Sequence, residues 1–157
     1  DTPQAKRPAQ VTKTPALKSV AVDASISSFD PSGGSGFRQE GRNSWKTQTY
    51  TSSAFGNLKE GVGLLLDLGE PRRLSKISLE ALSSPLQIEL RAANDYAQDI
   101  SGYKRIGSPK SASLDTTLSA SGGGRHRYWL VWVTRLAPSD GGYHALIEKV
   151  IARGPGS

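Results

Sequence analysis

Val62-Gly63-Leu64-Leu65-Leu66-Asp67-Leu68-Gly69-Glu70-Pro71 is followed almost at once by Leu74-Ser75-Lys76-Ile77-Ser78-Leu79. Leu64, Leu66 and Leu68 fall on alternate positions, as do Ile77 and Leu79 between Lys76, Ser78 and Glu80. Period two is the signature of a strand, whose side chains point alternately to opposite faces. Gly69-Glu70-Pro71 supplies one residue free to take positive φ and one of fixed φ, the ingredients of a tight turn. The stretch therefore predicts two strands joined by that turn.

The same rhythm extends outward in both directions. Val20, Val22, Ala24 and Ile26 alternate with Ala21, Asp23, Ser25 and Ser27, and Leu86, Ile88 and Leu90 with Gln87, Glu89 and Arg91. Tyr128, Leu130 and Trp132 interleave with Trp129, Val131 and Val133, so both faces are apolar and the strand belongs in the middle of a sheet. Turn residues punctuate these runs at Asp30-Pro31-Ser32-Gly33-Gly34, Ser121-Gly122-Gly123-Gly124 and Pro138-Ser139-Asp140-Gly141-Gly142. Tyr143, Leu146, Ile147 and Val150 have helical spacing, whereas Ala145, Ile147 and Ile151 fit a strand. The Val150-Ile151 pair and the preceding glycines favour the strand. Short strands about ten residues apart predict an all-β sandwich or barrel, with about eight strands and little helix.

The chain has 157 residues, one domain's worth, with 36% hydrophobic residues. Zero cysteines exclude disulfides, thiol catalysis, cysteine zinc sites and iron–sulfur clusters together. No apolar run approaches the roughly 20 residues that cross a bilayer as a helix. The net charge of +6 divides unevenly: Lys6, Arg7, Lys13 and Lys18 stand against Asp1 alone at the start, and the rest of the chain carries the other half of the excess. Residues 1–18, with three prolines and no aromatic residue, read as a basic linker that also suits weak adhesion to an anionic surface. The domain is expected over 19–154, with 155–157 as a tail. A start at Asp1 without methionine suggests a piece of a longer chain.

No catalytic set emerges. His126 and His144 lie on different predicted strands, and Arg125 and Arg127 flank the first and oppose a metal ion there. Ser139, Asp140 and His144 lack a nucleophile elbow, and Gly122-Gly123-Gly124 lacks the lysine of a phosphate loop. Asp95 and Asp99 sit in a tyrosine-rich loop that reads as solvated. Neither an enzyme nor a cofactor or metal is expected. Binding surfaces are better supported. Phe37 to Tyr50 combines Trp45 and Tyr50 with Arg42, an assembly of aromatic faces and planar donors that suits sugars. The same residues also suit a structural role, with Trp45 capping the core. Arg125, His126 and Arg127 form a second cluster beside a glycine loop, although most such clusters are simply solvated strand ends. The candidate ligand residues are Arg42, Trp45, Tyr50 and Arg125.

Together these pieces resemble the discoidin, or coagulation-factor type C, family with its galactose-binding-like jelly roll. The resemblance runs over about residues 19–154. It is carried by Gly41 to Thr47 around the loop tryptophan, Val62 to Pro71, Leu74 to Leu79, Tyr128 to Val133 and Ala145 to Gly154. The family's usual aspartate-glycine-asparagine before that tryptophan stands here as Glu40-Gly41-Arg42-Asn43, and Arg42 beside Glu40 opposes the calcium ion that some members hold. Shorter strings, Ile26 to Gly33, Thr49-Tyr50-Thr51, Leu58 to Gly63 and Asp140 to Tyr143, resemble the outer C-terminal domain of actinobacterial MviN-type membrane proteins, relatives of the lipid II flippase. These resemblances imply a non-catalytic binding module, monomeric when isolated, outside the cytoplasm and tethered to a membrane, with cell-wall glycan, a peptidoglycan precursor or a protein as partner; the mild charge of the domain itself speaks against nucleic acid. The alternatives are a carbohydrate-binding module of an exported glycoside hydrolase and a domain that only docks proteins.

Overall fold

The computed structural model describes residues 19–31, 38–40, 44–47, 49–57, 60–139 and 141–155. The predicted linker over 1–18 and Arg42 lie outside them. Among the described residues the regular elements are strands and two three-residue 3-10 turns at Phe55–Asn57 and Ile100–Gly102. In chain order the strands are β1 (Ser19–Ala21), β2 (Ser25–Phe29), β3 (Arg38–Glu40), β4 (Ser44–Lys46), β5 (Val62–Arg73), β6 (Lys76–Ala81) and β7 (Leu86–Ala93). They continue as β8 (Lys104–Ala112), β9 (Thr116–Ser119), β10 (Arg125–Arg135), β11 (Ala137–Ser139), β12 (Gly142–His144) and β13 (Leu146–Pro155). The expected eight strands are exceeded because several elements are only three residues long.

Two antiparallel sheets form the sandwich. One runs β2-β5-β10-β7-β8, and the other runs β9-β6-β13-β4-β3 with β1 also paired to β13. β10 lies between β5 and β7, the central position its two apolar faces predict. Its Trp129, Val131 and Val133 enter the core between the sheets with Leu64, Leu66 and Leu68 of β5, Leu86, Ile88 and Leu90 of β7, and Ile77 and Leu79 of β6. Leu130 and Trp132 point the other way and join Phe29, Leu65 and Tyr103 in a smaller apolar cluster on the outer face of the five-stranded sheet.

Two local expectations are corrected, and one ambiguity is resolved. First, Gly69-Glu70-Pro71 does not separate two strands: β5 runs through it to Arg73, and the chain turns at Leu74-Ser75 instead. Asp67 pairs with Tyr128 and Arg72 with His126, so five steps along β5 span two along β10. The segment is a bulge, built on Gly69 at φ 83 and on a proline with no N–H for the ladder. Second, the Val20 to Ile26 alternation is two strands, β1 in one sheet and β2 in the other. Third, the helical spacing of Ile147 and Val150 arises from a register shift between Ile147 and Lys149 within β13. Both residues are buried, while Ile151 faces outward. The strand reading of this segment holds.

Candidate functional site

The 11-residue β10 places its two termini at opposite ends of the sandwich, about 33 Å apart at strand rise. Tyr50 belongs to the end where β10 finishes. Its backbone exchanges two hydrogen bonds with Tyr143, and Ser53 close by accepts from the Leu136 N–H. Tyr50 is 6% exposed and its ring meets Phe55 edge-on, so the ring is part of the core. Trp45 lies in β4 opposite Ile147. Arg125 is the first residue of β10, at the other end, exposed and opposite Arg73, with Nη2 donating to the Pro71 carbonyl at 3.4 Å. The structure therefore does not bring Tyr50 and Arg125 together.

Around Arg125 the fold instead assembles a polar and aromatic surface. Strict alternation would send Arg127 to the core with Trp129 and put His126 outside with Tyr128. The ladder is irregular between His126 and Tyr128, opposite the β5 bulge, and the contacts are reversed. His126 lies edge-on to Trp129, its ring centroid 5.4 Å away, and its Nε2 bonds the Gly123 carbonyl at 2.7 Å. Arg127 reaches the outer face, where Nε donates to Asp67 Oδ1 at 2.7 Å and Nη2 to Oδ2 at 3.0 Å. This fork-to-carboxylate geometry fixes the guanidinium, which also lies 4.9 Å from the Tyr128 ring centroid.

The loop from Asn94 to Tyr103 completes the surface. Asn94 Oδ1 accepts from the Arg127 N–H at 3.2 Å. Tyr96, 56% exposed, meets Tyr128 at 6.1 Å in an edge-to-face pair. The loop is held from below. Buried Tyr103 donates its hydroxyl hydrogen to the Ala97 carbonyl at 2.8 Å and accepts from the Ala97 N–H at 3.1 Å. Arg91 donates to the Tyr103 carbonyl at 2.9 Å and pairs with buried Glu89 at 2.6 Å, while Arg105 stands 3.5 Å from the same carboxylate. An exposed tyrosine thus stands on a braced loop beside a clamped guanidinium and an amide.

The electrostatics follow from these contacts. The Arg127 hydrogen bond, aided by the Gly69 N–H, holds the Asp67 carboxyl below its ordinary value against the opposing effect of burial. The same pair raises Arg127. Burial pushes the Tyr103 phenol up. Chemically, the surface offers an aromatic face for C–H groups and fixed planar hydrogen-bonding groups for hydroxyls or anions.

Sequence reasoning singled out Arg125 and its neighbour Arg127 but missed Asp67, Asn94, Tyr96 and Tyr128 as partners. The tyrosine-rich loop was the available signal. Asp67, inside an apolar run on an outward position of β5, was the other.

No protein-family model matches the chain. Solved structures do. The family 32 carbohydrate-binding module of C. perfringens NanJ, in complex with galactose, has a TM-score of 0.54 and 14% identity over 87% of this chain and 99% of that one. The corresponding module of AlyQ, in complex with 4,5-unsaturated mannuronic acid, has a TM-score of 0.56 and 11% identity over 85% of this chain and 97% of that one. SpGH29 matches with a TM-score of 0.57 and 14% identity, covering 89% of this chain but only 28% of its own length. Identities this low establish the fold: a jelly-roll β-sandwich of the galactose-binding-like class.

Proposed function

We propose that this chain is a non-catalytic carbohydrate-binding module that takes its glycan on the Tyr96, Tyr128 and Arg127 surface. The observation that carries the reading is the exposed Tyr96 ring set against Tyr128, beside a guanidinium that Asp67 holds in place. An aromatic face contributes contact area at small entropic cost, and the fixed guanidinium and the Asn94 amide add orientation. The neighbours described above support it, since two of them are sugar complexes of carbohydrate-binding modules of this fold.

In this reading the module works outside the cytoplasm, attached to a larger protein that acts on glycans. SpGH29, of which the matching region is about a quarter, supports that context. The MviN-type context drawn from short sequence strings has no counterpart among the neighbours described above. A glycan array probed with the wild-type domain and with Tyr96→Ala tests the function. The reading predicts binding to a restricted set of glycans and its loss in Tyr96→Ala. Wild-type silence across the array, or full retention by Tyr96→Ala, overturns it.

A further inference from the structure

The end of the sandwich that carries Arg125 also carries a cluster of five cations. Arg73 and Arg125 are direct cross-strand partners of β5 and β10. Lys76 and Arg153 are direct partners of β6 and β13. The two pairs are neighbours: the Ser75 N–H donates to the Arg153 carbonyl at 2.8 Å, and a Cβ on Gly154 would stand 2.7 Å from the Arg73 carbonyl oxygen. Arg72, one residue from Arg73, lies opposite His126. Arg73, Lys76 and Arg125 are exposed, and Arg72 and Arg153 partly so. Among the described residues none of the five forms an ion pair. Two exposed carboxylates, Asp23 and Glu70, lie at this end, and Asp67 is already engaged by Arg127.

Like charges placed directly opposite each other across strands destabilise a sheet. A fold that keeps two such pairs side by side gains when an anion sits between the strands' outer ends. Three positions along β10, roughly 10 Å, separate Arg125 from Tyr128, so one extended ligand reaches both the cations and the aromatic surface. Arginine suits this task because its fork binds carboxylate, sulfate or phosphate through two parallel hydrogen bonds.

From this juxtaposition we infer that the module's ligand is a polyanionic polysaccharide, whose sugar rings meet Tyr96 and whose acidic groups meet Arg73, Arg125 and the adjoining Lys76–Arg153 pair. The inference rests on the glycan reading above and names the chemical class of that glycan. Duplex nucleic acid is the competing polyanion. It is disfavoured because the cations rim one end of the sandwich and do not line a face of groove dimensions.

The test is affinity electrophoresis of the domain through gels containing polygalacturonate, dextran sulfate, neutral galactan or duplex DNA, at two salt concentrations. Retardation by polygalacturonate or dextran sulfate above that by galactan is expected, and which of the two acts identifies the acidic group. The double variant Arg73→Gln, Arg125→Gln should bind the acidic polymer at least about fivefold more weakly and with a shallower salt dependence. Relief of repulsion should raise its Tm by about 1–3 °C at low salt, which also shows that it folds. Galactan binding as strong as acidic-polymer binding overturns the inference while the module reading stands. Absence of binding to every polysaccharide overturns both. DNA retardation equal to that by the acidic polysaccharides, or an unaffected double variant, overturns the inference.

Discussion

Replacing Tyr103 by phenylalanine removes one oxygen from beneath the loop that presents Tyr96. The ring stays: it is 1% exposed and packs edge-on against Phe29 at 5.1 Å, a contact phenylalanine reproduces. What disappears is the hydroxyl's clip on both backbone groups of Ala97. Each lost hydrogen bond to a partly buried backbone group costs about 0.5–1.5 kcal/mol, so Tyr103→Phe should lose about 1–3 kcal/mol. For a domain of this length that is roughly 3–9 °C in Tm. The alkaline limb gives a second handle. Burial raises the folded-state value of this phenol, so above pH ~10 the unfolded chain loses its proton while the folded one keeps it. That component of stability is fully present below pH ~10 and falls away as pH rises, and Tyr103→Phe lacks it. Calorimetry from pH 7 to 11 and amide exchange at Ala97 measure both effects. An unchanged Tm together with unchanged exchange at Ala97 refutes the idea that this hydroxyl braces the loop.

Asp67→Asn should free Arg127 from the outer face and lower stability at neutral pH. Because the folded-state carboxyl sits below its ordinary value, the difference from wild type is present above pH ~4 and disappears as pH falls through the folded value, which urea melts at several pH values detect. Trp129→Ala empties a fully buried site between the sheets and should cost about 3–5 kcal/mol, read from the denaturant midpoint. Gly63→Ala puts a Cβ 2.6 Å from the Val131 carbonyl oxygen and 2.8 Å from Leu130 Cδ1, so it should lower Tm more than an alanine at exposed Gly107, where no atom lies within 4 Å but φ is 78°.

The sheet core was legible because alternation survives intact where strands are long and regular, as in Leu86-Ile88-Leu90 and Trp129-Val131-Val133. It misled at two irregularities, one in β5 and one in β13. Gly69 and Pro71 look like a turn because the residues that open a turn also open a bulge. Ile147 and Val150 look helical because one extra residue between them mimics a three-residue step. The same cause hid the site. Arg127 stands at a core-facing parity in sequence and reaches the outer face only across the irregularity opposite Gly69–Pro71. Tyr96 lies 29 residues before Arg125 in the chain, and its meeting with Tyr128 is a tertiary contact that no local pattern encodes. Tyr50 failed to join Arg125 for the opposite reason: chain proximity to Arg42 and Trp45 says nothing about which end of the sandwich a residue occupies.

The central claim is that the glycan surface lies at Tyr96, Tyr128 and Arg127. Chemical-shift mapping of the ¹⁵N-labelled domain during titration with oligogalacturonate addresses it most directly. The account predicts saturable shifts at Asn94, Tyr96, Arg127 and Tyr128, extending to Arg125. Saturable shifts centred on Tyr50 and Tyr143, at the opposite end of the sandwich, would contradict it.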